Sequence, residues 1–224
     1  MLDVLLFALV PTAAMMAGAA VTLRYPPGRP LLSACQHLAA GVVTAAVAVE
    51  LLPAMLEADA LVASVIGYLL GLVAVLMVKR LAERGGAIVP IVIDLFVDGL
   101  LLAIGFAAGQ MGGFILMLGL TLETLSLGLA TAPSLARSGL SVRRIVWIHV
   151  GFGAAIVLGA LTGGAIPTDS ANVISLVLGF GISALLYLVF EELMSEAHEV
   201  EDKAATTGMF FLGFLVPLVL GHLS

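Results

Sequence analysis

Residues 87–109 read AIVPIVIDLFVDGLLLAIGFAAG, a run long and apolar enough to cross a lipid bilayer as one helix. Its only charged side chains are those of Asp94 and Asp98. An ionised carboxylate near the middle of a spanning helix opposes membrane insertion by roughly 2.5–3.5 kcal/mol. Such a helix is tolerated where its carboxylates face a protein interior or a water path, so the run predicts one helix of a larger bundle.

The rest of the chain has the same apolar character. Of its 224 residues, 62% are hydrophobic and 11% are charged, whereas a soluble domain is typically about half apolar and a quarter charged. The net charge of -6 leaves no basic surface for nucleic acid, and a single cysteine, Cys35, cannot form a disulfide framework. The composition excludes a soluble enzyme and predicts an all-α polytopic membrane protein embedded in a lipid bilayer.

Glycine and proline clusters divide the sequence into eight transmembrane helices. The predicted spans are about 4–23, 31–56, 61–78, 87–109, 112–136, 145–163, 171–194 and 205–223. They use nearly the whole chain, so residues 1–224 are expected to form a single transmembrane domain. All nine Lys and Arg residues fall in alternate loops. The positive-inside rule places those loops in the cytoplasm, which predicts a plasma (inner) membrane protein with both termini extracytoplasmic.

Carboxylates inside the spans are the candidate functional groups. Asp94 and Asp98 are four residues apart and therefore share one helix face. Glu123 reaches a similar depth on the next span, which a tight turn at 110–113 makes an antiparallel neighbour. Three carboxylates are thus predicted to converge near the bilayer centre, where a divalent cation would neutralise them. Protonated acids that hydrogen-bond between helices are the alternative.

Hydroxyl groups accompany these carboxylates on span 5. Thr121, Thr124 and Ser126 lie next to Glu123 and could add contacts to a metal ion. Hydroxyls within a helix more often donate a hydrogen bond back to a carbonyl of the same helix. We therefore expect such structural bonding for each of the three.

A second acidic segment closes span 7. Residues 190–198 read FEELMSEAH, and the predicted orientation puts this segment at the cytoplasmic end. Residues 50–52, Glu-Leu-Leu, resemble residues 192–194, Glu-Leu-Met, although spans 2 and 7 run in opposite directions. This similarity predicts an inverted repeat, with helices 1–3 and 6–8 arranged around helices 4 and 5. Inverted repeats are typical of alternating-access transporters.

These features resemble the ZIP (zinc/iron-regulated transporter-like) family of divalent-metal transporters. Residues 94–99, DLFVDG, are similar to the family's helix-4 motif His-Asn-x-Pro-Glu-Gly, with Asp94 at the His position and Asp98 at the Glu position. Residues 122–124 are similar to the Pro-Glu-Gly that ends the helix-5 motif, which aligns Glu123 with the family Glu. Residues 191–198 resemble the family's helix-7 pattern, and residues 50–53 resemble the end of its helix 2.

The departures from the family pattern concern the metal ligands. The His, Asn and Pro of the helix-4 motif are replaced by acidic or apolar residues, and Leu122 replaces the helix-5 Pro. The family's further helix-5 ligands would fall on Leu120 and Gly119, whose side chains cannot bind a metal. We therefore expect one all-carboxylate site in place of two metal sites, with a preference for oxygen-loving ions such as Mn²⁺, Fe²⁺ or Mg²⁺.

The resemblance implies a ZIP-like transporter, not an enzyme, that moves a divalent cation (Zn, Mn, Fe, Co or Cd) toward the cytoplasm by alternating access. Asp94, Asp98 and Glu123 would form the mid-membrane metal site, and Glu50 would lie beside the outer approach. The residues that would receive the ion on the cytoplasmic side are Glu191, Glu192, Glu196 and His198. No permanent cofactor is expected. The family also implies a homodimer, for which the sequence shows no distinct interface.

Three alternatives remain open at this point. A proton-coupled carrier of an organic solute would also place acids inside the membrane. An intramembrane metalloenzyme would need several His or Asn ligands beside the helix-7 acids. A structural or sensor protein that transports nothing is the third.

Overall fold

The computed structural model describes residues 2–25, 27–82, 88–197 and 204–223, and this part of the chain is helical without any strand. We number the helices in chain order. They are α1 (Leu2–Thr22), α2 (Arg29–Ala46, continued by a π-helical turn Val47–Leu51 and by Leu52–Glu57), α3 (Leu61–Ala82), α4 (Ile88–Ala108), α5 (Gln110–Arg137), α6 (Val142–Gly164), α7 (Ala171–Tyr187, continued by a π-helical turn Leu188–Leu193 and by Met194–Ala197) and α8 (Ala204–Leu223).

The helices have the length and composition of membrane spans. Within the described residues, α1 to α7 are each long and apolar enough to cross a bilayer, and α8 contributes a shorter apolar stretch, Ala204–Val219. Large apolar side chains cover the outer surface of the bundle, and on α3 they include Leu69, Leu70, Val73 and Met77. The described part of the chain is therefore all-helical, and its long apolar helices indicate a polytopic membrane protein, as the composition predicted. The helix limits agree with the predicted spans to within four residues.

The connection between α4 and α5 is tighter than predicted. Sequence reasoning placed a turn over 110–113, but α5 already begins at Gln110, and Gly109 alone separates the two helices. Gly109 has a φ of 152°, a backbone conformation that side chains with a Cβ rarely adopt. This single residue reverses the chain and holds α4 and α5 as antiparallel neighbours.

Close helix packing depends on glycine. The main helix pairs are α1 with α5, α4 with α6, α3 with α7, and α2 with α8. In the α4–α6 pair, a Cβ at Gly99 would overlap the carbonyl oxygen of Ile156, and a Cβ at Gly159 would overlap the carbonyl oxygen of Phe96. Reciprocal glycine contacts of this kind let two membrane helices approach backbone to backbone.

Helices α4 and α5 form the centre of the bundle. Helix α4 packs against α5, α6 and α7, and α5 packs against α1, α2 and α4. Their facing surfaces supply fully buried side chains such as Leu101, Leu102, Leu116 and Leu120. The carboxylates of these two helices consequently lie between packed helices, with Asp98 buried and Asp94 and Glu123 half-buried.

Candidate metal centre

Three carboxylates meet between α4 and α5. One oxygen atom from each of Asp94, Asp98 and Glu123 lies within 4.8 Å of the other two. The Asp98 side chain is only 1% exposed, and Asp94 and Glu123 are half-buried. The structure therefore brings together the three residues that the sequence selected as the mid-membrane site.

Helix geometry explains why these three residues converge. Asp94 and Asp98 are separated by about one helical turn, so both carboxylates point from the same face of α4. Asp98 lies about 15 Å from the first residue of α4 at ~1.5 Å per residue, which is near the middle of that helix. Glu123 lies near the middle of α5, which runs back alongside α4 after the turn at Gly109.

A small cavity adjoins the carboxylate cluster. Its volume is about 40 Å³, which exceeds the ~10–15 Å³ needed to hold one water molecule. The lining residues are Gln36, Asp94, Leu95, Glu123, Thr124, Leu127 and Leu193. Gln36 is a buried residue of α2 that sequence reasoning did not select. A polar amide within a predicted span was the signal that could have identified it.

The neighbouring threonine hydroxyls form structural bonds, as expected. The bond expected for Ser126 was wrong, because its buried Oγ has no hydrogen-bond partner within the described part of the chain. Thr121 donates to the Met117 carbonyl oxygen at 2.6 Å. Thr124 donates to the carbonyl oxygens of Leu120 at 2.8 Å and Pro11 at 2.9 Å. The bond to Pro11 ties α5 to α1 beside the cluster. Their hydroxyl protons are thus engaged by backbone carbonyls, and the carboxylates carry the chemistry of this centre.

A larger pocket leads away from Asp94. Its volume is about 270 Å³, and its lining residues are Val75, Val78, Lys79, Pro90, Ile91, Asp94, Val97, Leu127, Tyr187 and Glu191. It opens toward the end of the bundle at which α1, α3 and α5 end. Basic residues lie in the last turns of these helices or directly after them, and we call this the basic end of the bundle. Asp94 lines both this pocket and the small cavity, so it connects the cluster with the pocket.

Apolar side chains close the other side of the cluster. Leu101 and Leu102 of α4, Leu116 and Leu120 of α5, and Leu51 of α2 are all at most 1% exposed. These residues lie between the cluster and the end of the bundle that carries the α4–α5 turn. The carboxylates are therefore better connected to the basic end than to the opposite end.

Glu50 lies apart from the cluster, next to that turn. It belongs to the π-helical turn of α2, is half-buried, and its Cβ lies close to Gly112 at the start of α5. A π-helical turn is a frequent feature of functional sites because the extra residue changes where side chains point. That Glu50 lies beside the outer approach to the metal site stays a prediction.

The acidic segment of α7 is described in part. Glu191 lies in the π-helical turn of α7 and lines the 270 Å³ pocket. It forms an ion pair with Lys79, whose Nζ donates a hydrogen bond to Oε2 of Glu191 at 2.8 Å. Sequence reasoning assigned Lys79 only to a loop charge and missed this pair. The side chains of Glu192 and Glu196, and the whole of His198, lie outside the described residues.

A comparison with protein-family models finds no match for this chain, and a comparison with curated proteins finds none either. The resemblance to ZIP transporters therefore rests on the short stretches quoted above. The functional argument rests on the carboxylate cluster, the pocket that reaches it and the apolar helices that surround both.

Proposed function

We propose that this protein is a ZIP-like transporter that carries a divalent metal cation across a membrane. The observation that supports this function is the meeting of Asp94, Asp98 and Glu123 oxygens within 4.8 Å at the centre of an apolar helical bundle. Oxygen atoms at such separations can bind one cation together after small side-chain movements.

Electrostatics favours a cation at this position. Two unit charges 4.8 Å apart repel by about 3.5 kcal/mol at an effective dielectric constant of about 20, so three ionised carboxylates would repel by about 10 kcal/mol in total. A divalent cation bound by all three oxygens adds attraction at shorter distances, and this attraction outweighs the repulsion between the carboxylates. The cluster therefore has a strong physical reason to bind a metal ion.

The ligand set favours oxygen-preferring ions. Among the described residues, the only group of three or more His, Cys, Asp and Glu side chains within metal-binding reach consists of these three acids. A site built from carboxylates suits Mn²⁺, Fe²⁺ and Mg²⁺ better than a site built from imidazole or thiolate ligands does. We propose that such ions are the preferred substrates, ahead of Zn²⁺, Co²⁺ and Cd²⁺.

The helix packing supports an inverted repeat and alternating access. Exchanging α1 with α6, α2 with α7, α3 with α8 and α4 with α5 converts the α1–α5 pair into α6–α4 and the α3–α7 pair into α8–α2. The same exchange relates the π-helical turns of α2 and α7. Two related halves around a central site are the architecture by which many carriers expose that site to each side in turn.

The proposed direction of transport is toward the cytoplasm. The positive-inside rule makes the basic end cytoplasmic and both termini extracytoplasmic. The cluster then communicates with the cytoplasm through the 270 Å³ pocket, while the leucine layer separates it from the outside. In this proposal the structure corresponds to an inward-facing state.

Uptake into proteoliposomes tests the proposal. Mn²⁺, Fe²⁺, Mg²⁺, Zn²⁺, Co²⁺ and Cd²⁺ are offered in parallel to the parent protein, to Asp98→Asn and to Asp169→Asn. Asp169 is exposed in the loop after α6, so its variant matches the chemical change without touching the cluster. We expect uptake of at least one ion, loss of that uptake in Asp98→Asn, and no change in Asp169→Asn. Equal uptake by all three proteins would contradict the proposal.

The same preparation distinguishes the alternatives. Proton flux that depends on an organic solute in metal-free buffer, together with no uptake of any ion, would assign the cluster to a proton-coupled carrier. An intramembrane metalloenzyme is disfavoured because the described cluster contains no histidine, and because His149 is bonded to the Ile145 carbonyl oxygen at 2.8 Å and to Thr131 at 3.0 Å.

A further inference from the structure

The 270 Å³ pocket already holds a positive charge that belongs to the protein. The Lys79 ammonium lies 2.8 Å from a Glu191 carboxylate oxygen and 5.5 Å from the centre of the Tyr187 ring. Asp94 lines the same pocket. A carboxylate, an aromatic face and a second acid in one pocket form a surrounding that suits a cation.

Three helices contribute to this arrangement. Lys79 comes from the last turn of α3, Tyr187 and Glu191 come from α7, and Asp94 comes from α4. Of the residues that line the pocket, Lys79 is the only base and Asp94 and Glu191 are the only acids. A cation that moves through this pocket between Asp94 and the basic end therefore passes the Lys79–Glu191 pair.

We propose that Glu191 and Tyr187 form a second cation site at the mouth of this pocket, and that Lys79 is its tethered occupant. A divalent ion that moves from Asp94 toward the basic end displaces the ammonium from Glu191 and is then displaced by it. The inference rests on the proposed transport of a divalent cation for its role in the cycle, although the binding site itself does not require transport.

The strength of the ion pair suits exchange. The Lys79 and Glu191 side chains are 49% and 53% exposed, and ion pairs at such exposure contribute about 0–1 kcal/mol. A pair of this strength can be opened by a competing ion. Without the ammonium, Glu191 would be free to hold a divalent ion. Because Lys79 competes for Glu191, the divalent ion is released from the pocket.

Counting the bound ions tests this inference. Mn²⁺ is titrated into the purified full-length protein in detergent, and free Mn²⁺ is measured by electron paramagnetic resonance. We expect the parent to bind one Mn²⁺ per chain and Lys79→Gln to bind two. The additional ion should be lost again in Lys79→Gln/Glu191→Gln. Arg80→Gln is the matched control because Arg80 is the exposed neighbour of Lys79 and does not line the pocket.

Transport gives a second readout. In Lys79→Gln the divalent ion should rebind to Glu191 faster, and this should lower the maximal uptake rate by about fivefold. A factor of this size corresponds to ~1 kcal/mol. Lys79→Arg keeps the positive charge and should transport like the parent. One Mn²⁺ bound with unchanged affinity in Lys79→Gln would overturn the inference.

The outcomes for the two proposals are separable. If Asp98→Asn abolishes uptake while Lys79→Gln changes neither binding nor rate, the transport proposal stands and the mouth site is refuted. If Asp98→Asn leaves uptake unchanged but Lys79→Gln gains an ion that needs Glu191, the mouth site stands without the proposed transport path. Elution of each variant at the parent's volume in gel filtration verifies that it is folded.

Discussion

Replacing Asp98 with Asn should have opposite effects on stability with and without metal. In metal-free buffer, three carboxylates within 4.8 Å repel each other, and the substitution removes two of the three repulsive pairs. At about 3.5 kcal/mol per pair for a separation of 4.8 Å, the relief is about 7 kcal/mol when all three groups are ionised. Proton uptake and water in the adjoining pocket reduce this value, so we expect the variant to be more stable than the parent by about 2 kcal/mol or more.

A divalent ion should reverse this order. Binding to the folded protein adds about 2.7 kcal/mol of stability when the free ion is at a hundred times its dissociation constant. The parent should gain this stabilisation with Mn²⁺, whereas Asp98→Asn should gain little because it lacks one carboxylate of the site. The assay is thermal unfolding in detergent, followed by the fluorescence of Trp147, the single tryptophan, with a chelator or with increasing Mn²⁺.

Two results would refute the reasoning. The first is that Asp98→Asn unfolds at a lower temperature than the parent in chelator, and the second is that Mn²⁺ does not stabilise the parent. The cluster would then consist of protonated acids that hydrogen-bond between α4 and α5, and the loss of one such acid would be destabilising. Asp169→Asn, which replaces an exposed carboxylate outside the cluster, should unfold like the parent under all conditions.

Three further predictions follow from packing and position. Gly159→Ala should destabilise the bundle by about 1–3 kcal/mol because its Cβ would overlap the Phe96 carbonyl oxygen. On the same helix, the Cβ of Gly151→Ala meets open space, so this control should be neutral or stabilising. Thermal unfolding compares the two variants. Thr124→Val should cost about 1 kcal/mol through the lost bond between α5 and α1, with Mn²⁺ affinity unchanged. Glu50→Gln should slow uptake without altering Mn²⁺ binding at equilibrium, because Glu50 lies outside the cluster; a weakened affinity would argue otherwise.

Much of the candidate site was predictable because it depends on short-range geometry. The four-residue spacing of Asp94 and Asp98 places both on one helix face in any α-helix. The tight connection after α4 leaves α5 little choice but to run back beside it, which brings Glu123 to the same depth. Two helices and one turn therefore determine the cluster, and the remaining six helices only enclose it.

Contacts between helices distant in sequence could not be predicted in the same way. Lys79 and Glu191 are 112 positions apart, and their pairing follows from the packing of α3 against α7. Gln36 reaches the cavity only because α2 packs on α5. The π-helical turns of α2 and α7 were also unforeseen. Neither turn contains a Gly or Pro, and Pro53 just after the turn of α2 was the one local signal.

The sequence by itself determined that this chain is a helical membrane protein, where its helices begin and end, and which carboxylates lie at the centre, because hydropathy, glycine and proline positions and helical periodicity act over one or two turns. Only the tertiary structure decided which helices touch, which end of the bundle the cluster communicates with, and that Lys79 occupies the mouth of the pocket. Those features depend on backbone contacts such as those of Gly99 and Gly159, whose partners are chosen by the fit of whole helix surfaces and not by neighbouring residues in the chain.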